Sequence, residues 1–129
     1  MAKKSNDTPV EALVAVIVKG LQEKKGLDIC SLDLRKTGSA MADFFVLCHG
    51  GSARQVDALA DSVEEEVRKA LAEKPRHREG SDEAEWVLLD YVNVVVHVFS
   101  EEKRQFYRLE ELWGDGGITR YENVNSFFS

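Results

Sequence analysis

Cysteine is scarce in this chain of 129 residues: Cys30 and Cys48 are the two it has. They are too far apart for a CxxC site and too few for a disulfide scaffold, and both sit in apolar runs where a free thiol behaves as a small hydrophobe. The histidines, His49, His77 and His97, fall in three different segments without ligand spacing, so a structural zinc site has little support. No apolar run approaches the roughly 20 residues that a bilayer span needs, and the opening MAKKSNDTP leads into an amphipathic segment rather than a signal-peptide block. The expectation is a cytoplasmic protein with no membrane partner. An excess of positive charge is also missing. Lys and Arg number 17 against 23 Asp and Glu, a net charge of −6. Neutralising phosphates takes clustered basic residues, so bare nucleic acid is disfavoured and a basic partner suits the surface better. There is no internal repeat and no low-complexity segment.

What is present is the composition of one globular domain, 43% hydrophobic and 31% charged. Its core is expected over about residues 8–115, with 116–129 as a C-terminal tail. Thr8 as N-cap, Pro9 at the first helical position and Glu11 three residues after the cap open a helix. Val10, Leu13, Val14, Ile17 and Leu21 form its apolar stripe, and Gly26 in the left-handed conformation ends it. Leu27–Leu34 reads as a strand and Arg35–Ala42 as a loop. Phe44–Cys48 is a continuous apolar run, the pattern of a central strand covered on both faces. After a turn at His49, Gly50 and Gly51, a Ser52/Gln55 capping box starts a helix expected to reach about Glu73. Val56, Leu59, Ala60, Val63, Val67, Ala70 and Leu71 make up its core stripe. Lys74–Glu85 reads as an exposed charged connector. Two strands follow, Trp86–Tyr91 and Val94–Phe99, then a helix capped by Ser100 that covers Glu101–Tyr107 and continues or turns toward Trp113. The order αββαββα predicts a mixed sheet flanked by helices, in the α/β or α+β class.

The stretch Trp86–Trp113 is the densest in information. Val92-Asn93 is a poor two-residue turn, because both central positions of the favoured type need positive φ, which suggests a wider loop. If the hairpin is symmetric, Trp86 pairs with Phe99, Leu88 with His97 and Asp90 with Val95, and period two puts all six on one face. Asp90 and His97 then become diagonal neighbours. An acid beside an imidazole could be a catalytic pair, but no nucleophile is implied nearby. The plainer reading is that they hydrogen-bond each other, or Arg104 and backbone, to orient a binding surface. Tyr107, Leu109, Leu112 and Trp113, interleaved with Arg104, Arg108, Glu110 and Glu111, have the Trp, Tyr and Arg content of interface hot spots. Equally, Phe106, Leu109 and Trp113 could simply pack the last helix on the sheet. The exposed aromatics would also suit a homodimer. Gly50-Gly51-Ser52 before a helix resembles a phosphate cradle, which keeps a nucleotide-binding or nucleotidyltransferase-like reading as the alternative. The GxxxxGK[ST] and GxGxxG spacings and a close carboxylate pair for magnesium are absent.

WVLLDY, VVVHVF, RQFYRLEELW and the earlier DFFVLCHGGSARQVDALAD, in this order over about Glu11 to Asp115, resemble the ribosomal silencing factor family, called RsfS or Iojap. The resemblance implies a nucleotidyltransferase-like α/β fold without transferase chemistry, no cofactor and no catalytic residue. It further implies binding to ribosomal protein fourteen of the large ribosomal subunit, which blocks subunit joining and represses translation. By motif, the partner contacts would be Trp86, Asp90, Tyr107 and Trp113, with His97, Arg104, Leu109, Glu110 and Leu112 supporting or touching the partner. Family members usually have Gly-Asp where this chain has Val92-Asn93, so no role transfers to that acidic position.

Overall fold

The computed structural model describes residues 9–37, 42–80, 85–113 and 117–122, Trp113 by its backbone alone. The elements in chain order are α1 (Val10–Glu23), β1 (Leu27–Asp33), β2 (Phe44–Gly50), α2 (Ala53–Leu71), β3 (His77–Glu79), β4 (Trp86–Asp90), β5 (Val94–Ser100), α3 (Glu101–Tyr107), α4 (Leu109–Trp113) and β6 (Ile118–Arg120). They build one six-stranded mixed sheet in the order β3-β4-β5-β2-β1-β6. The β2–β5 pair at its centre is parallel and the other pairs are antiparallel.

The two faces of the sheet are covered unequally. On one side α1 and α2 lay Leu13, Ile17, Leu21, Val56, Leu59 and Val63 against Val46, Val87, Leu89, Val96 and Val98, all of them buried. On the other side a smaller cluster of Cys30, Leu32, Leu34, Phe45, Leu47 and Phe99 is roofed only in part, by Leu109. β2 is buried at every residue, as its unbroken apolar run requires. Both cysteines are free and buried, and burial pushes the Cys48 thiol up to about 12, so it carries no thiolate at neutral pH.

Several local expectations need correction. Thr8 lies outside the described residues, and Pro9 stands at the N-cap of α1 with no side-chain cap bond. The left-handed residue after α1 is Lys25 (φ 62), not Gly26. Gly26 is needed for a different reason: a Cβ there would fall 2.4 Å from the Cys48 sulfur. His49 and Gly50 belong to β2, so the turn is shorter than expected. The Ser52 hydroxyl caps α2 by accepting from the Gln55 amide at 3.1 Å, but the Gln55 side chain reaches back to the Gly51 amide at 2.7 Å rather than to Ser52. Ala70 is exposed instead of lying in the core stripe, and α2 ends at Leu71. The charged connector contains β3, which pairs with β4, and its Arg78 bridges Asp61 and Glu64, each at 2.8 Å. Residues 118–120, placed in the tail by sequence, form β6 against β1, while Gly114 and Gly116 lie outside the described residues.

The hairpin register is the expected one, Trp86 opposite Phe99, Leu88 opposite His97 and Asp90 opposite Val95. Three residues, Tyr91, Val92 and Asn93, separate the two strands, one more than the two-residue turn. Tyr91 donates to the Val94 carbonyl and Asn93 to the Tyr91 carbonyl, both at 2.9 Å, a γ-type turn about Val92 with φ 76. A β-branched residue there is strained, and half of its side chain is exposed, so it returns little burial. Val92→Gly should therefore raise stability by about 1 kcal/mol, the relief of strain exceeding the added chain entropy. Urea denaturation checks this, and a lower midpoint would contradict it.

Candidate functional site

The half-roofed face of the sheet is built from the alternate residues of β4 and β5. The Trp86 ring lies 5.1 Å from that of Phe99 and 4.5 Å from that of Tyr107, centroid to centroid. Tyr107 in turn meets Phe106 edge-on at 4.9 Å. An aromatic ladder thus climbs from the buried Phe99 through half-buried Trp86 to Tyr107, 37% exposed, and Phe106, 74% exposed. Phe106 does not face the sheet. Leu109 does, at 8% exposure, while Leu112 points outward at 67%. The reason is the break at Arg108, whose left-handed backbone (φ 48) ends α3 and restarts the chain as α4, rotating Leu109 onto the sheet. The Trp113 side chain lies outside the described residues.

Asp90 and His97 share a face but do not bond each other. Both Asp90 and Trp86 are diagonal to His97 across the hairpin, and at a diagonal separation of about 7–8 Å a long indole reaches where a short carboxylate does not. Trp86 Nε1 donates to His97 Nδ1 at 3.1 Å. Asp90 turns the other way, accepting from the Val92 amide at 2.7 Å and from Arg76 at 3.0 Å. Burial works to raise its pKa, but the Val92 amide and Arg76 outweigh it and hold the carboxyl below the usual range. His97, wedged against Phe45 with centroids 4.6 Å apart, is pushed down to about 4 by burial and is neutral at physiological pH. No proton relay joins the acid to the imidazole.

Arg104 is not hydrogen-bonded to this pair either. It is 7% exposed, and its guanidinium bonds Glu110 at 2.6 and 3.1 Å, the Leu27 carbonyl at 3.3 Å and His49 Nδ1 at 3.0 Å. A guanidinium only donates, so His49 accepts through Nδ1. Burial and the neighbouring Arg104 charge hold His49 below the ordinary imidazole range. Sequence reasoning missed His49 as part of this node, since nothing near it in the chain announces a buried arginine.

The Gly50–Ser52 turn opens on a recess lined also by Glu85, Glu101 and Glu102. Three carboxylates oppose a phosphate, and the Gly51 amide already donates to Gln55. Among the described residues no group of three or more His, Cys, Asp or Glu gathers as metal ligands would, and no helix is long and apolar enough to cross a membrane.

Fold and face together define a small α+β protein, a six-stranded mixed sheet covered by two helices on one side and presenting a partly roofed aromatic face on the other. The family model described as "Ribosomal silencing factor during starvation" matches residues 7–126. This chain is 38% identical to the ribosomal silencing factor RsfS of Halalkalibacterium halodurans over 116 residues, covering 90% of this chain and 97% of that protein. It is likewise 38% identical over 108 residues to RsfS of Bacillus subtilis, covering 84% and 90%. A crystal structure of a Chromobacterium violaceum protein has a TM-score of 0.78 at 30% identity, covering 93% of this chain and 99% of that one. The chain belongs to the ribosomal silencing factor family.

Proposed function

We propose that the chain binds the large ribosomal subunit through ribosomal protein fourteen and represses translation sterically, by keeping the small subunit from joining. It would act in the cytoplasm, as a wedge rather than an enzyme. The aromatic ladder of Trp86, Tyr107 and Phe106 carries this reading. Large rigid rings that stay exposed beside a buried cluster are the composition of an interface hot spot, and the relatives are named for silencing ribosomes. A net charge of −6 suits a basic ribosomal protein. Trp86, Tyr107, Phe106, Leu112 and Trp113 would touch the partner, with Asp90 at the edge of the face. His97, Arg104, Leu109 and Glu110 would hold the surface in shape, because the first three are buried in the free chain and Glu110 is spent on Arg104.

Sedimentation with separated subunits tests this. Wild type should travel with the large subunit, and Tyr107→Ala should weaken that association by about 2 kcal/mol, roughly 30-fold, with little change in folding. Association with the small subunit alone would refute the proposal, and concentration-dependent light scattering from the free chain would redirect the same face to a homodimer.

A further inference from the structure

The bond between Trp86 and His97 has a direction that chemistry decides. An indole N–H donates and never accepts, so His97 presents the lone pair of Nδ1 to it at 3.1 Å and carries its own proton on Nε2. That Nε2 is buried and finds no hydrogen-bond partner among the described residues. Around it stand the rings of Phe45, Trp86 and Phe99. A buried donor without a partner costs stability, whereas an apolar side chain of similar volume at the same place does not. Histidine is a poor choice here if stability is the criterion. What it does provide is an acceptor for the indole.

The ladder needs that acceptor. The last torsion of an aromatic side chain is broad and roughly two-fold, and the tilted ring contacts of Phe99 and Tyr107 with Trp86 carry no directional bond that would choose between the two ring orientations. The hydrogen bond to Nδ1 separates them, because only one orientation turns Nε1 toward β5. Fixing a hot-spot ring before the partner arrives removes an ordering cost from binding.

We infer that His97 is a positioning residue for docking, one that locks the orientation of the Trp86 indole within the exposed aromatic ladder without itself touching the partner. This rests on the ladder being the face that meets the large subunit. The test pairs a spectrum of the free chain with a binding cycle. His97→Leu should fold as well as wild type and shift the Trp86 indole N–H resonance, identified by its loss in Trp86→Phe. The same substitution should lower large-subunit binding about fivefold when Trp86 is present and less than about twofold in the Trp86→Phe background. His97→Asn, whose amide oxygen can stand where Nδ1 stands, should restore the resonance and most of the affinity. An unmoved resonance, an equal loss in both backgrounds, no recovery with Asn, or a Leu variant that cannot fold would each overturn the inference. A wild-type chain that binds no large subunit would instead overturn the proposed function, and the docking role with it.

Discussion

Arg104→Ala should lower the stability of the folded chain by about 3 kcal/mol and shift the urea midpoint down by about 1–2 M. The Arg104 side chain is 8% exposed and ties α3 to three other elements at once, through Leu27 and Cys30 on β1, His49 on β2 and Glu110 on α4. Truncation leaves the Glu110 carboxylate and His49 Nδ1 without their donor and opens the space a guanidinium filled. The estimate stands at the low end for a broken buried pair because the Glu110 side chain is 20% exposed and water can reach it. Replacing both partners at once, Arg104→Met with Glu110→Leu, should recover much of the loss, since no charge is then left stranded. A cost below about 1 kcal/mol for the single change would show that the contact behaves as a surface ion pair. The consequence for docking follows from position. Arg104 bonds Glu110, the neighbour of Leu109, so its loss should loosen α4, which presents Leu112, and large-subunit binding should fall further than the stability change alone accounts for.

The parts of this architecture that could be read from the sequence are those set by short-range patterns. A symmetric hairpin gives the register and period two in β4 and β5 gives the face, because a slip by one residue would put Trp86 and Leu88 on the side of the sheet away from His97. The unbroken apolar run of β2 announced a strand buried on both faces, and Ser52 and Ser100 announced two helix starts. What escaped depends on distant partners. β3 is His-Arg-Glu, which has no strand pattern of its own and exists through its backbone pairing with β4. Of Phe106 and Leu109, which the packing reading puts together on the sheet, only Leu109 is there, because Arg108 adopts a left-handed backbone, and such a break has no reliable mark in a run as helix-prone as RQFYRLEELW. The burial of Arg104 depends on a strand 74 to 77 residues away, so an arginine that reads as an interface anchor is a structural hub. Period two puts Asp90 and His97 on one face, as the structure has them, and side-chain reach decides that the indole, not the carboxylate, bonds the imidazole.

Gly20→Val should cost the fold about 3 kcal/mol or more while leaving docking intact in the molecules that remain folded. Gly20 sits where α1 crosses α2 at its closest: a Cβ there would lie 2.9 Å from the Val63 Cα and 3.1 Å from the Ser62 carbonyl oxygen, both backbone atoms that cannot swing aside. The same approach lets the Ser62 hydroxyl donate to the Gly20 carbonyl at 2.7 Å, so separating the helices also breaks a buried hydrogen bond. Gly20→Ala should lose less, because alanine's better helix propensity offsets part of the clash. Both helices cover the face of the sheet opposite the aromatic ladder, so the damage lies across the sheet from Trp86 and Tyr107. Thermal or urea unfolding should therefore register the substitution strongly, and sedimentation at a temperature where the variant is still folded should match wild type. Unchanged unfolding would mean that the helices can part at little cost. Lost binding in a folded variant would mean that the sheet transmits the strain to its other face, and that scaffold and docking surface are not separate.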